Sequence, residues 1–139
     1  MDEVIVELKL ENAIDRGMFR RRKLKEKDVR KVTVKAVADS GAATLVLPQD
    51  LVEELGLDIL RKAVVEYADK RTEERPVAGP VTIQIGKRQA ILECIVGPPA
   101  SEVLLGQVPL EIMDLLVDCP RKALLPRPES PYLPLHKLR

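Results

Sequence analysis

A mainly β, single-domain fold is what this chain predicts, and three observations carry the prediction. Apolar and polar residues alternate along several segments, most strictly in Val81-Thr82-Ile83-Gln84-Ile85, which is the period of a half-buried strand. Helix-like spacing is confined to two short stretches, each entered through a proline. At 139 residues, 45% apolar but only 2% aromatic, the chain has the length of one domain and an aliphatic core of Val, Leu and Ile. A domain of this size buries about two-thirds of its unfolded surface, enough to fold without a metal or a disulfide.

The elements follow in order. Glu3 to Leu10 alternates and predicts a first strand. Residues 11 to 27 do not alternate and contain Arg20-Arg21-Arg22-Lys23, which reads as a solvated loop or the rim of a short helix. Val29 to Val37 alternates again. Leu47-Pro48-Gln49-Asp50-Leu51-Val52-Glu53-Glu54-Leu55-Gly56 predicts a short helix: Pro48 suits its first turn, Asp50 complements the dipole and Gly56 stops it. Leu51, Val52 and Leu55 are its inward face. Ala63 to Ala68 and Thr72 to Val77 flank Asp69-Lys70-Arg71 and predict a hairpin. Val81 to Ile85, a Gly86-Lys87 turn and Gln89 to Val96 predict a second.

Val103-Leu104-Leu105-Gly106 then leads into Val108-Pro109-Leu110, repeating the order of apolar strand, glycine turn and proline-led helix. After Cys119, five of the eleven prolines fall within twenty residues, at 120, 126, 128, 131 and 134. They predict an extended arm rather than a helix or a central strand.

Composition removes several functional classes from expectation. With 23 basic against 22 acidic residues, the overall balance gives no reason to expect nucleic acid or an anionic membrane as a partner. The basic run lacks interleaved aromatics apart from Phe19. No apolar run is long enough to cross a bilayer, and Met1-Asp2-Glu3-Val4 is unlike a secretory signal, so a cytoplasmic location is expected. His136 is the single histidine and lies in the arm, while Cys94 and Cys119 lack CxxC spacing. A histidine triad and a metal site are therefore not expected. Cys94, inside the apolar run Ile91 to Val96, reads as a core thiol.

The stretch with chemistry in it is Val37-Ala38-Asp39-Ser40-Gly41-Ala42. A strand delivers one acid onto a tight Ser-Gly turn before apolar residues resume. An Asp between apolar segments is costly unless it is solvated, hydrogen-bonded or paired. By itself the tripeptide is also compatible with an inert turn.

Two motifs now stand in order: apolar-apolar-Asp-Ser-Gly-Ala and, some sixty residues on, Leu104-Leu105-Gly106 before a short helix. With the β-rich segment between them, roughly Val29 to Asp118 resembles the retropepsin-like aspartic proteases, single-domain relatives of pepsin, and in particular their small prokaryotic members. The resemblance implies an acid-protease fold of one lobe: a closed β-barrel with a flap hairpin and one or two short helices. It divides the chain into an N-terminal strand and basic loop (1–28), the protease-like domain (29–119) and a Pro-rich C-terminal arm (120–139).

Carried over position by position, the resemblance makes Asp39 the catalytic aspartate, supported by Ser40, Gly41 and Ala42. Gly41 is the place where a Cβ would intrude. Leu104, Leu105 and Gly106 become the structural turn behind the active-site loop. Ala68, Asp69, Lys70 and Arg71 become the flap tip over a substrate cleft. Two departures stand out. The tip has no glycine, where the family's flaps typically have one. Gln107 follows the second glycine, where many viral members have arginine.

The implied chemistry requires two carboxylates sharing a proton around one water. No second Asp-Ser/Thr-Gly occurs in the chain, since Asp69 precedes Lys-Arg, Asp114 precedes Leu-Leu and Asp118 precedes Cys-Pro. The expectation is thus a twofold homodimer acting on an extended peptide or protein, with no cofactor. Leu133, Leu135 and Leu138 of the arm are candidates for its interface. Three other readings stay open: an inert turn, a peptide-binding or dimerisation module of the same fold, and nucleic-acid binding through Arg20 to Lys27.

Overall fold

Alternating sequence becomes staves of a barrel in residues 3–138, the part of the chain that the computed structural model describes. Its strands are β1 (Val4–Asn12), β2 (Lys31–Ala38), β3 (Leu45–Pro48), β4 (Asp58–Glu66), β5 (Thr72–Ile85), β6 (Arg88–Gly97), β7 (Leu104–Leu105), β8 (Leu115–Asp118) and β9 (Ala123–Pro126). Three short α-helices, where one or two were expected, join them, α1 (Ala13–Arg20), α2 (Gln49–Glu54) and α3 (Gln107–Ile112), with a single 3-10 turn at Glu26–Asp28. Met1, Asp2 and Arg139 lie outside the described residues, and so does the expectation placed on the first two.

The main sheet runs β1-β2-β7-β3-β6-β5-β4, and β1 also pairs with β5 through Lys9↔Gln84 to Asn12↔Val81. That extra pairing closes six strands into a barrel and leaves β4 projecting from β5 as one arm of a hairpin. The closed barrel with a flap hairpin is the predicted architecture. Its interior is aliphatic: Leu8, Leu10, Leu45, Leu47, Val81, Ile83, Leu105 and Met113 are fully buried in one cluster. Each such side chain contributes about 1.5–3 kcal/mol relative to exposure.

The structure redraws several expected boundaries. β1 supplies Leu8 and Leu10 to the common core, so the expected boundary at residue 28 is not a boundary of the barrel. The segments 72–77 and 81–85 are one strand, β5, bent by a bulge between Ala78 and Val81. Pro80 sits in that bulge, where its missing N–H leaves no ladder bond unmade. Pro48 is the extended residue immediately before α2 instead of lying within its first turn, and Gly56 follows the helix at φ +63°. Leu51, Val52 and Leu55 do face the core.

Residues 11–27, expected as loop or helix rim, contain α1. Asn12 caps it by accepting from the Asp15 N–H at 3.0 Å. The buried Asn12 amide also donates to the carbonyls of Leu55 (2.9 Å) and Gly56 (3.2 Å), tying α1 to the end of α2.

The proline-rich arm contains β9, which pairs with β8 as a small second sheet. It is then held against the barrel by Arg88. This guanidinium is buried and donates to the carbonyls of Met113 (2.7 Å), Asp114 (3.4 Å) and Ser130. Tyr132, Leu133, Leu135 and Leu138 beyond it are exposed.

Candidate active site

Asp39 is the first residue after β2, and its neighbours explain its presentation. Ala36 and Ala38 are buried, and the Asp39 N–H still donates to the Leu105 carbonyl at 2.9 Å. The chain then turns: Ala42 N–H donates to the Asp39 carbonyl (3.1 Å), with Ser40 and Gly41 at the corner. Within the turn, Gly41 N–H donates to Asp39 Oδ1 at 2.8 Å and fixes the plane of the carboxylate. Asp39 Oδ2 has no hydrogen-bond partner among the described residues, and Asp39, Ser40 and Gly41 are all exposed. A Cβ at Gly41 would come within 3.1 Å of Asp39 Oδ1, so a larger residue there would press on the carboxylate itself.

The loop that carries Asp39 is clamped from behind by the second glycine motif. β7 lies between β2 and β3, parallel to the first (Val37↔Leu104, Ala38↔Leu105) and antiparallel to the second (Leu45↔Leu105, Val46↔Leu104). β2 and β3 are consecutive in sequence but splayed apart, with β7 threaded between them. Gly106 N–H donates to the Thr44 carbonyl (3.0 Å), Gln107 N–H to Ala42 (2.8 Å) and Val108 N–H to Ala43 (3.0 Å).

Those contacts explain why α3 has no side-chain cap. Its first backbone donors are met by the carbonyls of the Asp39 loop, leaving nothing for a Ser or Asp to do. Gln107 is drawn along the helix, donating to Glu111 Oε1 at 2.8 Å. The structure therefore brings Asp39, Ser40, Gly41, Ala42, Leu104, Leu105 and Gly106 into one backbone-bonded unit.

The four residues expected at a flap tip lie elsewhere, at the tip of the β4–β5 hairpin. Ala68, Asp69, Lys70 and Arg71 are exposed. Tyr67 N–H donates to the Arg71 carbonyl (2.8 Å), and Lys70 N–H donates to that of Tyr67 (2.9 Å). This is a three-residue loop in which Lys70, at φ +72°, occupies the left-handed position that glycine fills most easily. Asp69 Oδ1 accepts from Arg71 N–H (3.1 Å). Among the described residues, the tip makes no hydrogen bond or ion pair with the Asp39 loop.

Sequence reasoning missed the brace on this hairpin. Tyr67 donates its hydroxyl to Glu73 Oε2 at 2.7 Å, and the Arg71 guanidinium lies 4.8 Å from the Tyr67 ring centroid. That hydrogen bond holds the Glu73 carboxyl below its ordinary pKa and the Tyr67 phenol above its own. A Tyr six residues before a Glu across a tight turn was a legible cross-strand pair. Arg88 and Asn12 had weaker signals, because their partners are backbone carbonyls more than 20 residues away.

Cys94 is buried in the barrel, and burial pushes its thiol up to about 12, so it stays protonated at neutral pH. Cys119 is exposed and free. Among the described residues, no three His, Cys, Asp or Glu side chains are grouped to hold a metal ion. No helix of the described residues is long and apolar enough to cross a membrane.

A family model described as gag-polyprotein putative aspartyl protease matches residues 26–111, more than half of the chain. Among solved structures, the EIAV protease complexed with the inhibitor HBY-793 is similar at 23% identity, with a TM-score of 0.46. The likeness covers 57% of this chain and 75% of that one. No curated protein matches.

Proposed function

The chain belongs to the gag-polyprotein putative aspartyl protease family, and on that premise we propose that it is an aspartic endopeptidase active as a homodimer. The observation that carries the reading is Asp39 itself: an exposed carboxylate on a turn anchored from behind by backbone hydrogen bonds to Leu105, Gly106, Gln107 and Val108. A catalytic acid has to be held still while one face remains open to water and substrate. A backbone clamp does both.

One chain supplies half of the chemistry. Two copies of Asp39 brought together on a twofold axis share one proton, because two adjacent carboxylates cannot both ionise. The ionised carboxylate takes a proton from a water whose oxygen attacks the peptide carbonyl carbon. The protonated one donates to the carbonyl oxygen. When the tetrahedral adduct collapses, the C–N bond breaks and the amine leaves with a proton. Gly41 N–H keeps Oδ1 engaged while Oδ2 faces the water. Ser40 and Ala42 support the loop, and the hairpin tip at Ala68–Arg71 covers an extended peptide bound by main-chain hydrogen bonds. The reaction calls for no cofactor. The proposed setting is the cytoplasm.

Asp39→Asn is the deciding variant. It should leave the thermal melt and the sedimentation of the dimer unchanged and abolish cleavage of fluorescently labelled casein. Full activity in that variant removes Asp39 from catalysis. A wild-type dimer that binds a statine-containing peptide but never cleaves casein would favour a peptide-binding module instead.

A further inference from the structure

A concave surface lies at the other end of the barrel. β2 starts at Lys31 and reaches Asp39 eight residues later, which at the rise of an extended strand separates its ends by about 26 Å. At the Lys31 end, the outer faces of β2, β1, β5 and β6 form a groove of about 700 Å³, walled on one side by α1. The registers set Thr33, Lys9, Gln84 and Gln89 in one row across the four strands, with Lys31 beside Glu11 in the next. Arg16 and Arg20 line it from α1.

Charge singles this surface out. Residues 9–35 hold eleven Lys or Arg against four Asp or Glu, a net +7, and because the whole chain is +1 the remainder is −6. A near-neutral total therefore hides a strongly segregated chain. Part of the positive charge is neutralised in place. Arg16 pairs with Glu11 (2.7 Å) and Glu26 (2.5 Å), Lys31 with Glu26 (3.1 Å) and Arg30 with Asp15 (2.8 Å). Lys9 and Arg20 in the groove, and Arg21, Arg22 and Lys23 just beyond α1, are exposed and make no ion pair among the described residues.

We propose that this groove binds single-stranded nucleic acid through its phosphate backbone. Five uncompensated cations converge on one end of the molecule, and the row between them offers hydroxyl and amide groups that hydrogen-bond phosphate and sugar oxygens without reading sequence. Phe19, partly exposed beneath the Arg16 guanidinium at 5.1 Å, adds one face on which a base can stack. The concavity selects the ligand. Lys9, Gln84 and Gln89 lie within a concave surface, which a flexible strand follows more closely than a flat bilayer does. The site is remote from Asp39, so it stands independently of the peptidase reading.

The test is fluorescence anisotropy of fluorescein-labelled dT12 and rU12 between 50 and 300 mM KCl, with flotation on phosphatidylserine/phosphatidylcholine vesicles alongside. Five phosphate contacts at about 0.7 counterions each give a log K against log salt slope near −3.5. The double variant Lys9→Gln/Arg20→Gln, with the rim intact, should reduce that slope by about 1.4 and weaken binding about tenfold or more at 50 mM. Both residues are exposed, so its melt should match the wild type. Arg20→Gln alone reads a change of about 0.7 if the pair fails to fold. The proposal is overturned by no binding at 50 mM KCl. It is equally overturned by an unchanged slope in the groove variants, or by vesicle binding without oligonucleotide binding.

Discussion

Gly106 has an ordinary extended backbone, φ −90° and ψ −167°, so space rather than torsion demands glycine there. A Cβ would lie 2.4 Å from the Thr44 carbonyl oxygen and 2.7 Å from both the Ala42 oxygen and the Thr44 nitrogen. All three atoms are backbone and cannot swing aside. Gly106→Ala should destabilise the protein by about 1–3 kcal/mol in urea titration and abolish the proposed peptidase activity by displacing the Asp39 loop. An Ala variant with wild-type stability would mean the clamp is looser than its hydrogen bonds imply. Asp15 offers a second single-residue test. The Arg30 guanidinium hydrogen bond, opposed by burial, holds its carboxyl below the ordinary value. With the folded pKa lowered, the stabilisation is complete above the unfolded value of about 3.9 and disappears as pH falls through the folded one. Urea midpoints should therefore drop between about pH 5 and pH 2, and drop less steeply in Asp15→Asn. Parallel curves would remove Asp15 from the acid response. At this scale Asp39, Ser40 and Gly41 were legible because the turn is contiguous. The buried roles of Asn12 and Arg88 were not, since their partners lie 44 and 42 residues away for the longest bonds.

Among the elements, the β4–β5 hairpin departs most from local preference. Its loop places Lys70 at φ +72°, a conformation that costs an ordinary residue roughly 1 kcal/mol or more relative to glycine. Lys70→Gly is expected to raise the urea midpoint modestly and to lower hydrogen-exchange protection nowhere outside the hairpin. A drop in stability would show that the Lys70 side chain contributes more than its backbone strain removes. Both hairpins could be read from alternation and turn residues, because those signals sit within a few positions of one another. β9 could not: Leu124 and Leu125 lie among prolines, and only pairing with Leu116 and Val117 makes them a strand. The threading of β7 was likewise hidden, since two residues carry no period.

For the whole molecule, closure is the controlling event. The β1–β5 pairing turns an open sheet into a barrel, and Arg88 then fastens the arm across its end. Ending the chain after Pro120 removes β9 and the Ser130 carbonyl together, leaving the buried guanidinium short of an acceptor. The truncated protein should melt at a markedly lower temperature. If Leu133, Leu135 and Leu138 also belong to the proposed dimer interface, its sedimentation should shift toward monomer at concentrations where the full chain is paired. Undiminished dimerisation would assign the arm to intrachain bracing alone.

Sequence alone determined the mainly β class, both hairpins, the aliphatic core and the acidic turn at Asp39, because each is written in neighbouring residues whose period or turn chemistry is local. Tertiary structure decided what rigidifies that turn, where the barrel closes and which strands form the groove beside the basic segment. These depend on strands distant in sequence meeting side by side, and no local pattern encodes which two will meet.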